Sequence, residues 1–173
     1  MNARRVIVML LAAWMALIVT ASVQALVPWH LPTPEVMLLF VLYLGLGARG
    51  GSASSQIAIA LVLGYLADLF AGAPKGLHAL TLAIAMLLAR GASSRILITA
   101  TWHTVAIAFG AGLAHSVLLL ALSTQLWNEG ALSAMRIVPV TALATAVLAP
   151  FVFSFLRRLD QRLQPDPRAL RMA

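Results

Sequence analysis

The sequence predicts an all-α integral membrane protein of about six transmembrane helices, and three observations predict it. First, 62% of the 173 residues are apolar and 10% charged, with a mean hydropathy of +0.96; soluble domains run near about 45–50% apolar and 25% charged. Second, the apolar residues fall in unbroken Leu- and Ala-rich runs punctuated by proline, glycine and arginine. A membrane β-barrel would instead show alternating segments of about ten residues. Third, the charges sit at the ends of these runs. Spanning a bilayer takes about 20 helical residues, so six spans use about 120 and leave about 53 for connections. A single polytopic membrane domain therefore fills the chain.

The first run, residues 6–27, follows Arg4 and Arg5. It is longer than the roughly 7–15 apolar residues of a cleaved signal peptide, so it reads as a retained helix. Pro28, Pro32 and Pro34 break the connection to the second run, residues 36–48. The third run covers 57–70 and the fourth 77–89, with Gly72, Pro74, Lys75 and Gly76 between them. The fifth covers 96–122, and the sixth, 137–156, holds Pro139 in its first turn and Pro150 in its middle. Proline in a first turn is tolerated, whereas a central proline is expected to kink the helix. Residues 157–173 form a basic tail.

Runs two and four are short, about 20 Å of helix against a hydrocarbon core of about 30 Å. Either they extend into flanking residues or their ends are sheltered by other helices. Arg49-Gly50 and Arg90-Gly91 read as helix stops, a cation at the negative helix end followed by a glycine in the left-handed conformation.

Alternate connections place ten arginines on one side (Arg4, Arg5, Arg49, Arg90, Arg95, Arg157, Arg158, Arg162, Arg168, Arg171) and only Lys75 and Arg136 on the other. The positive-inside rule then puts both termini in the cytoplasm, with Trp29, Trp127 and Tyr43 as interfacial or near-interfacial anchors. This mapping assigns the net charge of +7 to membrane ends, where it can attract anionic lipid, rather than to nucleic acid. The absence of cysteine excludes disulfides, thiolate metal sites and thiol nucleophiles.

Among candidate functional residues Asp68 stands first, because an acid within a span is expensive and faces protein or water. Helical spacing puts Ala60, Gly64, Ala67, Asp68 and Ala71 on one face, a small-residue seam with a polar pin that a partner helix could approach closely. The alternative is an interfacial acid that meets water or Lys75 and closes the helix end. Glu35 after Pro34 reads as helix-start chemistry, an acid complementing the positive helix end. His30, His78, His103 and His115 read as hydrogen-bonded core or interface residues. His103 and His115 are about 18 Å apart along one helix and cannot share a metal. Ala12-x-x-x-Ala16 and Ala106-x-x-x-Gly110-x-x-x-Ala114 have the spacing of close helix crossings. No serine elbow, paired carboxylates, metal-ligand spacing or phosphate loop occurs, so no catalysis, cofactor or metal is expected.

The stretch Gly64-Tyr65-Leu66-Ala67-Asp68-Leu69-Phe70-Ala71-Gly72-Ala73-Pro74-Lys75-Gly76-Leu77-His78-Ala79-Leu80 resembles the signature of the rod shape-determining MreD family, as does Pro34-Glu35 before the second run. The specific part covers roughly residues 34–90; Pro34, Gly64, Asp68, Pro74 and Gly76 match the pattern residue by residue. The resemblance implies a non-enzymatic protein of the bacterial inner membrane, a scaffold that binds the bitopic protein MreC. It further implies association with the glycan polymerase RodA, its transpeptidase and the cytoskeletal MreB, hence control of peptidoglycan synthesis and rod shape. It also implies the six-helix fold of the substrate-binding subunits of energy-coupling-factor vitamin transporters. Pro34, Ala60, Gly64, Asp68 and Gly76 are then the expected partner-binding residues. A vitamin-binding transporter subunit is the rival reading, opposed by the few convergent polar groups: His30, Asp68, Lys75, His78 and Glu129.

Overall fold

The second helix is wrapped by all the others, and the architecture is best described from it outward. The computed structural model describes residues 3–26, 34–47, 52–71, 75–93, 101–127, 135 and 137–163. Six helices lie among them: α1 (Ala3–Leu26), α2 (Val36–Leu46), α3 (Ala53–Ala71), α4 (Leu77–Ser93), α5 (Thr101–Trp127) and α6 (Val138–Leu163). Helix α2 touches each of the other five. From Met37 to Gly45 all its residues but Tyr43 are buried. A helix apolar on every side is stable only with apolar neighbours on every side, and here protein rather than lipid supplies them.

This explains why α2 has only 11 residues. A helix that meets no lipid need not match the bilayer, provided that other helices cover its polar ends. At one end, Glu35 N–H donates to Thr145 Oγ1 of α6 at 2.9 Å. At the other, the Gly47 N–H donates to the Tyr43 carbonyl and the Leu44 carbonyl accepts from Gln56 Nε2 of α3. Four helices (α1, α3, α5 and α6) are long and apolar enough to cross a membrane; α2 and α4 are shorter apolar helices. The leucines, valines and aromatics left exposed, such as Leu26, Leu88, Trp102 and Phe151, belong to the outward faces of the surrounding helices.

Several helix limits differ from the sequence expectation. Helix α3 begins at Ala53 rather than at 57, because Ser52 initiates it: its hydroxyl accepts the Ser55 N–H and its carbonyl accepts the Gln56 N–H. Helix α4 does not stop at Arg90-Gly91 but runs on to Ser93. The Arg90 guanidinium is held by Gln56 Oε1 at 2.6 Å, and Gly91 is helical. Among the described residues only Gly76 is a glycine at positive φ, at 100°. Helix α6 passes through Pro150 and extends seven residues beyond 156, to Leu163. Leu156 and Leu159 continue its inward stripe into the first turns of the expected tail. The proposed stops at Arg49-Gly50, and Trp29, His30, Pro74, Arg95, Glu129 and Arg136, lie outside the described residues.

Of the two small-residue patterns, Ala12 and Ala16 pack partly against the core. The Ala106, Gly110 and Ala114 stripe is instead exposed, and a Cβ at Gly110 would meet nothing within 4 Å. The close approach of α5 and α6 lies at Gly112, where a Cβ would stand 3.3 Å from Ala142 Cα. The spacing found glycine on the right helix but on the wrong side of it.

The described cations segregate. Arg4, Arg5, Arg90, Arg157, Arg158 and Arg162 share one end of the bundle and Lys75 lies at the other. At the arginine-rich end a fork joins α1 to α6: Arg5 Nε lies 2.6 Å from Asp160 Oδ1 and a terminal nitrogen donates to Oδ2 at 2.8 Å. Tyr43 stands edge-on to Phe153 at 5.5 Å beside it, and with Arg157 these residues line a cavity of about 350 Å³. Both partners of the fork keep some exposure, 23% and 13%. A double-mutant cycle over Arg5→Ala and Asp160→Ala is expected to give a coupling of about 1 kcal/mol that shrinks with added salt. A coupling of zero in detergent-solubilised protein at low salt would show that the fork does not fasten α1.

Candidate functional site

Polar side chains inside an apolar bundle need partners, and those at the Lys75 end form two adjoining groups. The first is built on Asp68, which is 2% exposed. Its Oδ2 accepts the Gly76 N–H at 2.8 Å, and its Oδ1 accepts the His78 N–H and lies 2.8 Å from His78 Nδ1. The first N–H groups of a helix have no partner within it. Here a carboxylate from the preceding helix satisfies two of them and complements the positive helix end as well. The left-handed Gly76 turns the chain so that both N–H groups point back at α3. Asp68 thus ties α3 to α4 of the same chain, its partners being Gly76 and His78.

One turn earlier, Gly64 lies where α3 crosses α4. A Cβ at this position would stand 2.5 Å from Ala79 N and 2.7 Å from the His78 carbonyl carbon. Both are backbone atoms, so no rotamer change makes room. Ala60, fully buried, and Ala67, 8% exposed, continue the seam. The seam expected to seat another protein's helix is thus filled by α4. Pro34, half-buried, precedes α2, and its carbonyl accepts the Val36 N–H at 3.0 Å.

The second group gathers around Glu35. Glu35 is the N-cap residue of α2 but makes no side-chain cap to it; its carboxylate reaches across the bundle instead. Ser116 Oγ of α5 donates to Oε1 at 3.0 Å, and His115 Nε2 lies 3.3 Å from Oε2. Thr145 accepts the Glu35 N–H and donates its own hydroxyl proton to the Thr141 carbonyl. The His78 and His115 rings, 6.5 Å apart between centroids, bring the two groups together. Both histidines and Glu35 line a cavity of about 190 Å³ walled by residues of α1 to α5.

Of the other histidines, His103 stacks on Trp102 at 3.8 Å near the start of α5, remote from this cluster. Among the described residues no group of three or more His, Cys, Asp or Glu is placed to hold a metal ion. Sequence reasoning missed the Glu35–Ser116–Thr145 contacts and the Gln56–Arg90 bond. All of them join residues distant in the chain, and a lone Ser or Thr in an Ala-rich helix gives no signal. The Asp68–His78 pair was within reach, since a ten-residue step across a short glycine turn returns the next helix to the same level.

A buried helix surrounded by five others, with a polar seam at one end, defines a multi-pass α-helical membrane protein whose inner polar groups join helix to helix. The chain belongs to the family of the rod shape-determining protein MreD, whose model matches residues 3–159. That family acts in determining rod shape, in keeping with the Gly64–Leu80 resemblance. Among the curated proteins and the solved structures, none matches the chain.

Proposed function

We propose that the chain is a non-enzymatic scaffold of the cell-elongation machinery in the bacterial inner membrane. It binds the single transmembrane helix of MreC and through it regulates peptidoglycan synthesis. RodA with its transpeptidase, and MreB from the cytoplasmic side, are the further partners. Family membership carries this reading and favours it over a vitamin-binding transporter subunit. The chemistry of Asp68 supports it: the acid of the family-like motif has both oxygens engaged by the turn into α4, as befits a structural pin rather than a reacting group. The segregation of the arginines supports an orientation with both termini in the cytoplasm, the arginine-rich end then meeting anionic lipid. In this reading the fold is that of the energy-coupling-factor substrate-binding subunits, turned from carrying a solute to positioning a protein.

Within this reading Pro34, Ala60, Gly64, Asp68 and Gly76 serve partner binding by fixing the α3–α4 hairpin and the start of α2. Tagged chain purified from native membranes in mild detergent is expected to bring MreC with it in near-equal amount. Recovery of ATP-binding subunits or of a stoichiometric vitamin in its place would overturn the proposal.

A further inference from the structure

The helices around α2 do not close evenly. Helices α3 and α4 meet backbone to backbone at Gly64, and α5 and α6 at Gly112. Helices α4 and α5 instead part over the last turn of α2 and leave a groove of about 230 Å³ floored by Leu42 and Leu46. Small side chains open it: Ala85, Ala89 and Ala92 line one side and Ala111 and Ala114 the other. Among the described lining residues only Thr81 and His115 are polar, and neither offers a polar atom to the groove. The Thr81 hydroxyl donates to the Leu77 and His78 carbonyls. The His115 side chain is 3% exposed, with Nε2 3.3 Å from Glu35 Oε2 and a buried Nδ1. The walls run from Thr81 to Ala92 on α4 and from Leu118 back to Ile107 on α5, a rise of about 16 Å on each. The groove therefore reaches the arginine-rich end of the bundle, where Arg90 stands between Ala89 and Ala92.

We infer that this groove holds one acyl chain of a phospholipid from the leaflet at the arginine-rich end, with an anionic headgroup at that end. Its dimensions select a chain. A depth of about 16 Å is that of one leaflet, half of a hydrocarbon core of about 30 Å. The volume spread over that length leaves a channel only a few ångströms wide. A partner helix or a second copy would bring a cylinder of about 10 Å that crosses both leaflets. A lipid tail gains no hydrophobic energy on leaving the bilayer for an apolar groove. Dispersion contacts on three sides hold it there, and an empty groove would forfeit them. The charge adds the choice of headgroup, since the described arginines gather at that end and attract anionic lipid. A bound chain also completes the cover of α2 at Leu46, its half-buried last residue. Lipid at this site does not depend on which protein partner the chain has.

The test uses the full chain in nanodiscs of equimolar phosphatidylglycerol and phosphatidylcholine with identical acyl chains. Released into mild detergent and read by native mass spectrometry, the wild-type chain is expected to be a monomer that retains one phospholipid. Phosphatidylglycerol should be retained about fivefold over phosphatidylcholine, the worth of about one basic residue near the headgroup. Ala114→Phe, at an exposed position of the groove wall, fills the space and is expected to lower retention about tenfold. Ala106→Phe, about two turns earlier on the same exposed stripe but outside the groove, should retain lipid as the wild type does. A location test needs no variant: phosphatidylglycerol with a diazirine at its chain end should cross-link to Leu118, at the inner end of the groove. Loss of that cross-link in Ala114→Phe and not in Ala106→Phe separates groove lipid from the surrounding bilayer. No retained lipid or no Leu118 cross-link in the wild type overturns the inference. So does equal retention of the two lipids, equal retention in the two variants, or a wild-type dimer that Ala114→Phe splits.

Discussion

Gly64→Ala is expected to destabilise the protein by about 3 kcal/mol, at the upper end of what overpacking a dense interior costs, and Gly64→Leu by more. The reason is the identity of the atoms that the new Cβ meets. Ala79 N and the His78 carbonyl carbon belong to the first turn of α4, which is itself tied to α3 through Asp68. To admit a methyl group the two helices must separate, and separation stretches the bonds to Gly76 and His78. The matched control is Gly110→Ala on α5, where a Cβ meets nothing. There the gain in helix propensity, up to about 1 kcal/mol, is the only effect expected. Unfolding of the purified protein by titration with a denaturing detergent measures both. Equal stability of the two variants would show that α3 and α4 do not cross at Gly64.

Asp68→Ala is expected to cost about 3 kcal/mol or more, because hydrogen bonds to a charged acceptor are worth about 1.5–3 kcal/mol each and two part-buried backbone donors lose theirs together. Asp68→Asn discriminates further. Its carboxamide oxygen can still accept from His78, but its NH₂ group would then face the Gly76 N–H, donor against donor. The expected order of stability is therefore wild type, then Asn, then Ala. Hydrogen exchange adds a local reading: the Gly76 amide should lose protection in both variants and the His78 amide in Asp68→Ala, while those of α2 keep it. An Asn variant as stable as wild type would mean that the Gly76 bond contributes nothing.

The sequence made one level of this structure legible and left another hidden. Hydropathy and breakers mark the six helices of the described residues and roughly where they lie, because both signals are local. They also mark Asp68 and Gly64, since an acid and a glycine in an apolar run each need a reason. What the run could not show is which neighbour supplies the reason: a seam of small residues fits a helix of the same chain as well as another protein's. Glu35 illustrates the same limit. After a proline it has the local signature of a helix start, yet Thr145 and Ser116, more than 80 positions away, decide where its backbone and carboxylate point. The end of α4 was misjudged for a related reason, since Arg90 is held by Gln56 of α3 and no longer has to close its own helix. The shortness of α2 was visible at once, whereas its cause, enclosure by the five helices around it, is a property of the assembled bundle.

Both large predictions meet in the hairpin of α3 and α4, and so does the proposed function. The measurement that tests the account most directly is the amount of MreC recovered per molecule of tagged chain from native membranes, compared among wild type, Gly64→Ala and Gly110→Ala at equal membrane abundance. The account predicts near-equal recovery with wild type and Gly110→Ala and a marked loss with Gly64→Ala. MreC missing from the wild-type preparation, or recovered undiminished with a destabilised Gly64→Ala hairpin, would contradict it.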